Sequence, residues 1–160
     1  MMEKSKYIPI MIQSLKKKEQ TLDAILKINN RQREELENPA LDPDDFEKTF
    51  EEKAALIDSL ETLDNGFQEL FERVREELNA SREAYRDEIN EMQACIRRLT
   101  EKSADIQTQE ARNKVLMEQK FSAVRKQVKE VRKSQKVVNQ YYKNMMKSNF
   151  IEPQFTDKKK

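Results

Sequence analysis

A single glycine, Gly66, stands among 160 residues. Tight turns, phosphate-cradling loops and sheet corners need backbone conformations that glycine adopts at little steric cost. A chain almost without it is confined to few, long elements, and four prolines add little further punctuation. The choice narrows to long helices or no fold. Composition leaves both open, because 36% hydrophobic and 38% charged residues suit either a disordered chain or helices that bury a narrow seam. Periodicity decides between them.

Apolar residues step by three and four along most of the chain. In the first stretch Ile8, Ile12, Leu15, Leu22, Leu26 and Leu36 keep this step, with Glu19, Asn29 and Arg33 filling the remaining places. This spacing predicts a helix over about 8–37. Pro9 fits its first turn, and Asn38-Pro39 ends it, since a residue before proline is pushed out of the helical region. The second stretch is announced by Asp42 as N-cap, Pro43 at the first helical position, and Asp44 and Asp45 near the positive end of the helix dipole.

From there a seam runs Phe46, Phe50, Ile57, Leu60, Phe67, Phe71, Val74, Leu78, Tyr85, Met92, Cys95, Leu99 and Ile106. Lys53, Asp64, Ser81, Glu88 and Lys102 occupy its polar places. Disorder does not hold a stepped register this long. Two breaks fit it: Asp64-Asn65-Gly66, or Asn79-Ala80-Ser81 with Ser81 as N-cap. The register of Phe46 to Leu60 continues through Phe67 to Leu78, which favours a turn near 79–82 and a helix over about 43–78. A kink at Gly66 stays open.

A third helix is expected over about 82–146. Its later seam is Met117, Phe121, Val124, Val128, Val131, Val138, Tyr142 and Met145, offset by one residue from the earlier one across a polar segment, Ser103 to Asn113. At 1.5 Å per residue such a helix measures on the order of 100 Å and overhangs the two shorter ones. The expected fold is all-α: three long helices in an antiparallel, coiled-coil-like bundle of one domain, residues 1–147, with an overhanging third helix. Residues 148–160 read as a flexible tail.

Chemistry is constrained by what is missing. Histidine is absent, and Cys95 is the one cysteine. A thiol nucleophile would lack an imidazole base, and the seam position of Cys95 suits a small apolar residue. Asp44, Asp45, Glu51 and Glu52 lack the loop spacing of a calcium site and read as a solvated surface. Neither enzyme activity, a cofactor nor a metal is expected. The Tyr7–Ile12 run is too short for a signal-peptide core, and no run approaches ~18 apolar residues. A soluble, cytoplasmic protein is the expectation.

Charge is polarised along the chain although the total is +1. Residues 42–91 hold 17 acids and 6 bases, whereas 114–147 hold 10 bases and 2 acids. The bases Arg125, Lys126, Lys129, Arg132, Lys133, Lys136, Lys143 and Lys147 come without aromatic interleaving, so a solvated face or one attracted to the acidic second helix fits better than nucleic-acid binding.

Three segments make the chain resemble the FlgN-like flagellar export chaperones. Asn38 to Leu63 is similar to that family's short loop and acidic helix with a central lysine, with Leu41-Asp42 leading into Glu51-Glu52-Lys53, Leu56-Ile57 and Leu60. Ile106 to Gln119 is similar to its third-helix segment, with Asn113-Lys114, Leu116 and Glu118-Gln119, and Gln109 where the family often has a first asparagine. Val137 to Lys147 stands where the family has its client-binding end. The resemblance implies a chaperone that holds a helical segment of hook–filament junction proteins before type III secretion and hands it to the export gate. FliT-like chaperones of the filament cap share its size and helicity. A structural coiled-coil protein that self-associates through the same seam is the other class.

Candidate partner-binding residues are Val124, Val128, Val131, Val138, Tyr142 and Met145, one face at the spacing used by helix-in-groove recognition. The competing reading is that they pack on the first two helices, since an apolar stripe is usually core. A client-binding chain is expected to be a monomer or weak dimer, and a scaffold a stable oligomer.

Overall fold

The computed structural model describes residues 6–122, together with residues 136, 137 and 140. Three helices follow one another: α1 (Tyr7–Glu37), α2 (Pro43–Ala80) and α3 (Arg86–Phe121), with no strand among the described residues. The all-α bundle read from the periodicity is the fold.

Local chemistry sets the boundaries. Asn38 turns to an extended conformation before Pro39, and its side chain accepts a hydrogen bond from the Ala40 N–H at 2.9 Å. Asp42 caps α2 by accepting from the Asp44 N–H at 2.9 Å. Pro43 then opens the helix, where its missing N–H would have had no partner. Gly66 lies inside α2, exposed, with open space where a Cβ would be. The chain turns instead at residues 81–85, the second of the two candidate breaks.

That turn differs in detail from the sequence reading. Ser81 ends α2 rather than starting α3, and its N–H still bonds to the Glu77 carbonyl. Tyr85 precedes α3 with no side-chain cap, is 1% exposed, and donates its hydroxyl hydrogen to Glu77. A buried aromatic plug whose hydroxyl reaches back to α2 holds the corner that a Ser cap was expected to hold.

Cross-helix pairs give the directions. Asn29 with Gln109, and Glu19 with Arg98, hold a nearly constant offset, so α1 and α3 run parallel. Arg31 with Glu52, and Lys18 with Asp64, hold a nearly constant sum, so α2 runs antiparallel to α1. Backbone packing is between α1 and each of the others. Helix α1 is therefore the shared element, and its buried stripe is wider than a two-helix seam. Met11, Ile25 and Ile28 are buried along with Ile8, Leu15, Leu22 and Leu36, whereas the seam residues Ile12 and Leu26 are only half-buried. A helix with neighbours on two sides needs an apolar face of roughly 100° rather than a two-position line.

Of the offset seam expected along α3, only Met117 and Phe121 lie among the described residues. Buried positions run Leu99, Ser103, Ile106, Glu110, Asn113, Met117 and Phe121, with the alternation of four and three broken by a second four-residue step from Met117 to Phe121. A straight helix of 3.6 residues per turn drifts against a seven-residue repeat. Ser103, and not Lys102, therefore takes the inward place.

Candidate functional site

Val124, Val128, Val131, Val138, Tyr142 and Met145 all lie outside the described residues. What the structure describes is the end of the bundle from which they follow. There Leu36 of α1, Phe46 and Phe50 of α2, and Met117 and Phe121 of α3 form a small apolar cluster, flanked by half-buried Leu41 and Leu116. Phe46 sits edge-on to Phe50 at 5.3 Å and 5.8 Å from the Phe121 ring. Lys120 donates from Nζ to the Asn38 carbonyl at 2.8 Å, tying the end of α3 to the α1–α2 loop. At Phe121 the bundle has no further α1 or α2 turn to offer, because α1 has ended at Glu37 and α2 begins at Pro43. In the sequence the stepped apolar residues from Val124 onward follow this cluster.

Beneath that cluster lies a layer the sequence reading did not foresee. Lys53, expected to be one of the polar places of the seam, is 0% exposed, and its partner Glu110 is 2% exposed. The ammonium uses all three of its hydrogens. Nζ donates to Glu110 Oε1 at 2.6 Å, Asn29 Oδ1 at 2.9 Å and Gln32 Oε1 at 3.0 Å. Gln32 passes a hydrogen bond to the Thr49 hydroxyl at 2.8 Å, and Asn29 Nδ2 donates to Gln109 Oε1 at 3.0 Å. Asn113 donates to the Asn29 carbonyl at 2.9 Å, while its own Oδ1 is buried without a partner. Lys53 Nζ also lies 5.1 Å from the centre of the Phe50 ring.

Electrostatically this layer is taut. Burial pushes the Lys53 ammonium below its ordinary pKa, and the Glu110 carboxylate, by charge and by hydrogen bond, opposes that shift. Desolvating two charges costs several kcal/mol each unless geometry and further hydrogen bonds offset it, and here the Lys53 ammonium of α2 is met by Asn29 and Gln32 of α1 and Glu110 of α3. The layer fixes one axial register for α1, α2 and α3. It also brings together Lys53, Gln109 and Asn113, residues of the segments that carry the chaperone resemblance. The available signal was the phase of Lys53, which stands in step with Phe46, Phe50, Ile57 and Leu60.

The other groups singled out in the sequence sit as their types suggest. Asp44, Asp45, Glu51 and Glu52 are exposed, with Glu52 paired to Arg31 at 2.7 Å. Cys95 is buried, and burial first, then the Glu19 carboxylate, raise its thiol pKa, the reverse of an activated nucleophile. Among the described residues no three potential ligands cluster into a metal site, and no helix is long and apolar enough to cross a membrane.

The FlgN protein family model matches residues 1–148, nearly the whole chain. The chain belongs to the FlgN family of flagellar chaperones. It matches no curated protein and no solved structure.

Proposed function

We propose that this FlgN-family chain holds a helical segment of hook–filament junction proteins on the cytoplasmic side, before type III secretion, and releases it to the export gate. The seam Val124, Val128, Val131, Val138, Tyr142 and Met145 is the proposed client surface. One observation carries this reading: among the described residues the three-helix core reaches its end at Leu36, Phe46, Met117 and Phe121, yet in the sequence apolar residues keep a helical step for more than twenty positions beyond it. A face of that kind suits an amphipathic partner helix. Surrounding lysines add a salt-screened contribution. The chain acts as a monomer or weak dimer, needs no nucleotide or metal, and the client takes the place of a fourth element.

Calorimetry against carboxyl-terminal fragments of hook–filament junction proteins tests this. Tyr142→Ala and Val138→Asp are expected to weaken binding at least tenfold while leaving the helical signal and the melt of the bundle in place. A loss of fold in both would assign those residues to the core. Equal affinity in both would move the client to α1 or α2. A stable oligomer with no affinity for any junction fragment would favour the self-associating coiled coil.

A further inference from the structure

On the rim between α1 and α3, facing residues keep one constant offset. Glu19 faces Arg98, Asp23 faces Lys102, and Asn30 faces Gln109. Each of these rungs sets an acceptor on α1 against a donor on α3. At the first, Arg98 offers one edge of its guanidinium: Nε donates to Glu19 Oε2 at 3.0 Å and Nη2 to Oε1 at 3.2 Å. This is the two-bond fork by which arginine takes a carboxylate.

The next rung breaks the rule. Three residues on, the same offset sets Arg33 of α1 against Arg112 of α3. The two Arg112 atoms that match the Arg98 fork, Nε and Nη2, are shielded from water and have no hydrogen-bond acceptor among the described residues. Arg33 Nε is in the same state, since the Glu37 carboxylate, at 3.6 Å, lies beyond hydrogen-bond reach. A donor shielded from water gains from any acceptor that reaches it. A carboxylate completes this rung as Glu19 completes the first. A phosphate dianion suits it less, because Glu34 and Glu37 stand beside Arg33 and offset much of the positive charge.

The neighbouring surface fits a helix better than a free ion. Along the outward side of α3, Ala104, Thr108, Ala111 and Val115 step by four, three and four, and all are exposed and uncharged. Val115 is 52% exposed and follows Arg112 by three residues, which puts the two side by side on the helix surface. A small anion makes no use of such a neighbour.

We propose that Arg112 and Arg33 form a carboxylate clamp for an acidic side chain of a partner helix that lies along α3, with Val115 against that helix's apolar residues. Arg33, whose side chain is 42% exposed, turns outward to admit the carboxylate, and Arg112 then makes the fork that Arg98 makes. The clamp lies wholly within α1 and α3 and does not depend on the client surface proposed beyond Phe121.

Arginine Nε–Hε signals of the 15N-labelled full chain test it. Butyrate, a carboxylate on a short apolar chain, is expected to shift the Arg112 signal saturably and to leave that of Arg98, already paired, in place. Phosphate at matched ionic strength is expected to act at least fivefold more weakly. An alanine-rich helical peptide with one glutamate, and leucines one turn to either side, is expected to bind at least fivefold more tightly than butyrate. It is expected to lose that gain with glutamine in place of its glutamate, or against Val115→Asp in the chain. A second measurement needs no ligand. Arg33→Glu supplies the carboxylate from α1 itself, and is expected to raise the melting temperature by about 2–4 °C relative to the same change in an Arg112→Gln chain. An Arg112 signal that moves no more than that of Arg98 overturns the clamp. Equal effects of Arg33→Glu in the two backgrounds overturn the facing of Arg33 and Arg112. Tighter binding of phosphate than of butyrate overturns the carboxylate, and butyrate bound as tightly as the peptide overturns the partner helix.

Discussion

Two acid–base constellations tie α3 to its neighbours, and they sit in opposite surroundings. Glu19 of α1 meets Arg98 at 3.0 Å and Lys102 at 2.9 Å on the rim, and Lys102 also reaches Asp23 at 2.7 Å. Glu110 of α3 meets Lys53 of α2 at 2.6 Å inside the bundle. The rim group keeps its charges half in water beside a large apolar core built from Leu15, Leu22, Met92 and Leu99 among others. The inner pair separates that core from the small aromatic cluster at the other end. Charge at a rim adds modestly to stability. Charge in a core adds little net stability and much sensitivity, because either partner alone is an uncompensated buried ion.

The sharpest break in this comparison is a charge where no partner waits. Leu60 stands seven residues after Lys53, two turns along the same face of α2, and is 0% exposed like it. Leu60→Asp puts an unpaired carboxylate into the apolar core at a cost of several kcal/mol. In thermal and urea melts it is expected to leave the chain largely unfolded. A melting temperature equal to wild type would mean that α2 does not bury this face.

The inner pair itself comes next. Glu110→Ala strands the Lys53 ammonium and is expected to cost about 3–5 kcal/mol, whereas Lys53→Met with Glu110→Leu, which removes both charges, is expected to fall within about 1–2 kcal/mol of wild type or above it. Urea melts of the single and double variants check this. A single variant as stable as the double one would show that the two charges do not share one buried site. Smaller again is Phe121→Ala at the aromatic end. The usual cost of removing a buried phenylalanine is about 3–5 kcal/mol. At the last residue of α3, next to exposed Ser122, local fraying is expected to hold it to about 2 kcal/mol, with amide exchange quickening near 113–121 and not near Leu22. Uniform quickening would merge the two ends into one cooperative unit.

Much of the fold was legible because helical spacing and caps are local. The step of Phe46, Phe50, Ile57 and Leu60, the Asp42-Pro43 start and the Asn38-Pro39 stop can each be read without knowing what lies across the bundle. The buried layer was not legible for the opposite reason. Lys53 is an ordinary surface residue until Glu110, 57 positions later, and Asn29 and Gln32, more than 20 positions earlier, are brought around it. Likewise Met11, Ile25 and Ile28 fall outside a two-helix seam, and the central place of α1 explains their burial. In α3 a strict heptad drifts on a 3.6-residue helix, which is why Ser103 and not Lys102 faces inward. Of the candidate site, the stretch read from the sequence beyond Phe121 lies outside the described residues, and the structure describes the apolar cluster that precedes it.

The smallest expected effect belongs to the rim and has a pH signature. The Arg98 hydrogen bond is the largest influence on Glu19, and with Lys102 it lowers the carboxyl pKa below the usual 4.5 despite partial burial. A carboxylate whose folded pKa is depressed contributes stability above its unfolded pKa and loses it as pH falls through the folded one. Glu19→Gln is therefore expected to cost about 1 kcal/mol or less at neutral pH, the range of partly screened surface pairs. The gap between variant and wild type is expected to stay constant down to the ordinary carboxylate range and to close below it, and to shrink with added salt at any pH. Paired melts at neutral pH, near pH 4.5 and below pH 3 measure it. A gap that persists at the acid end would mean that Glu19 works through packing on Cys95, whose Sγ lies 3.9 Å away, and not through its charge. The rim would then resemble the interior more than the contrast between the two constellations allows.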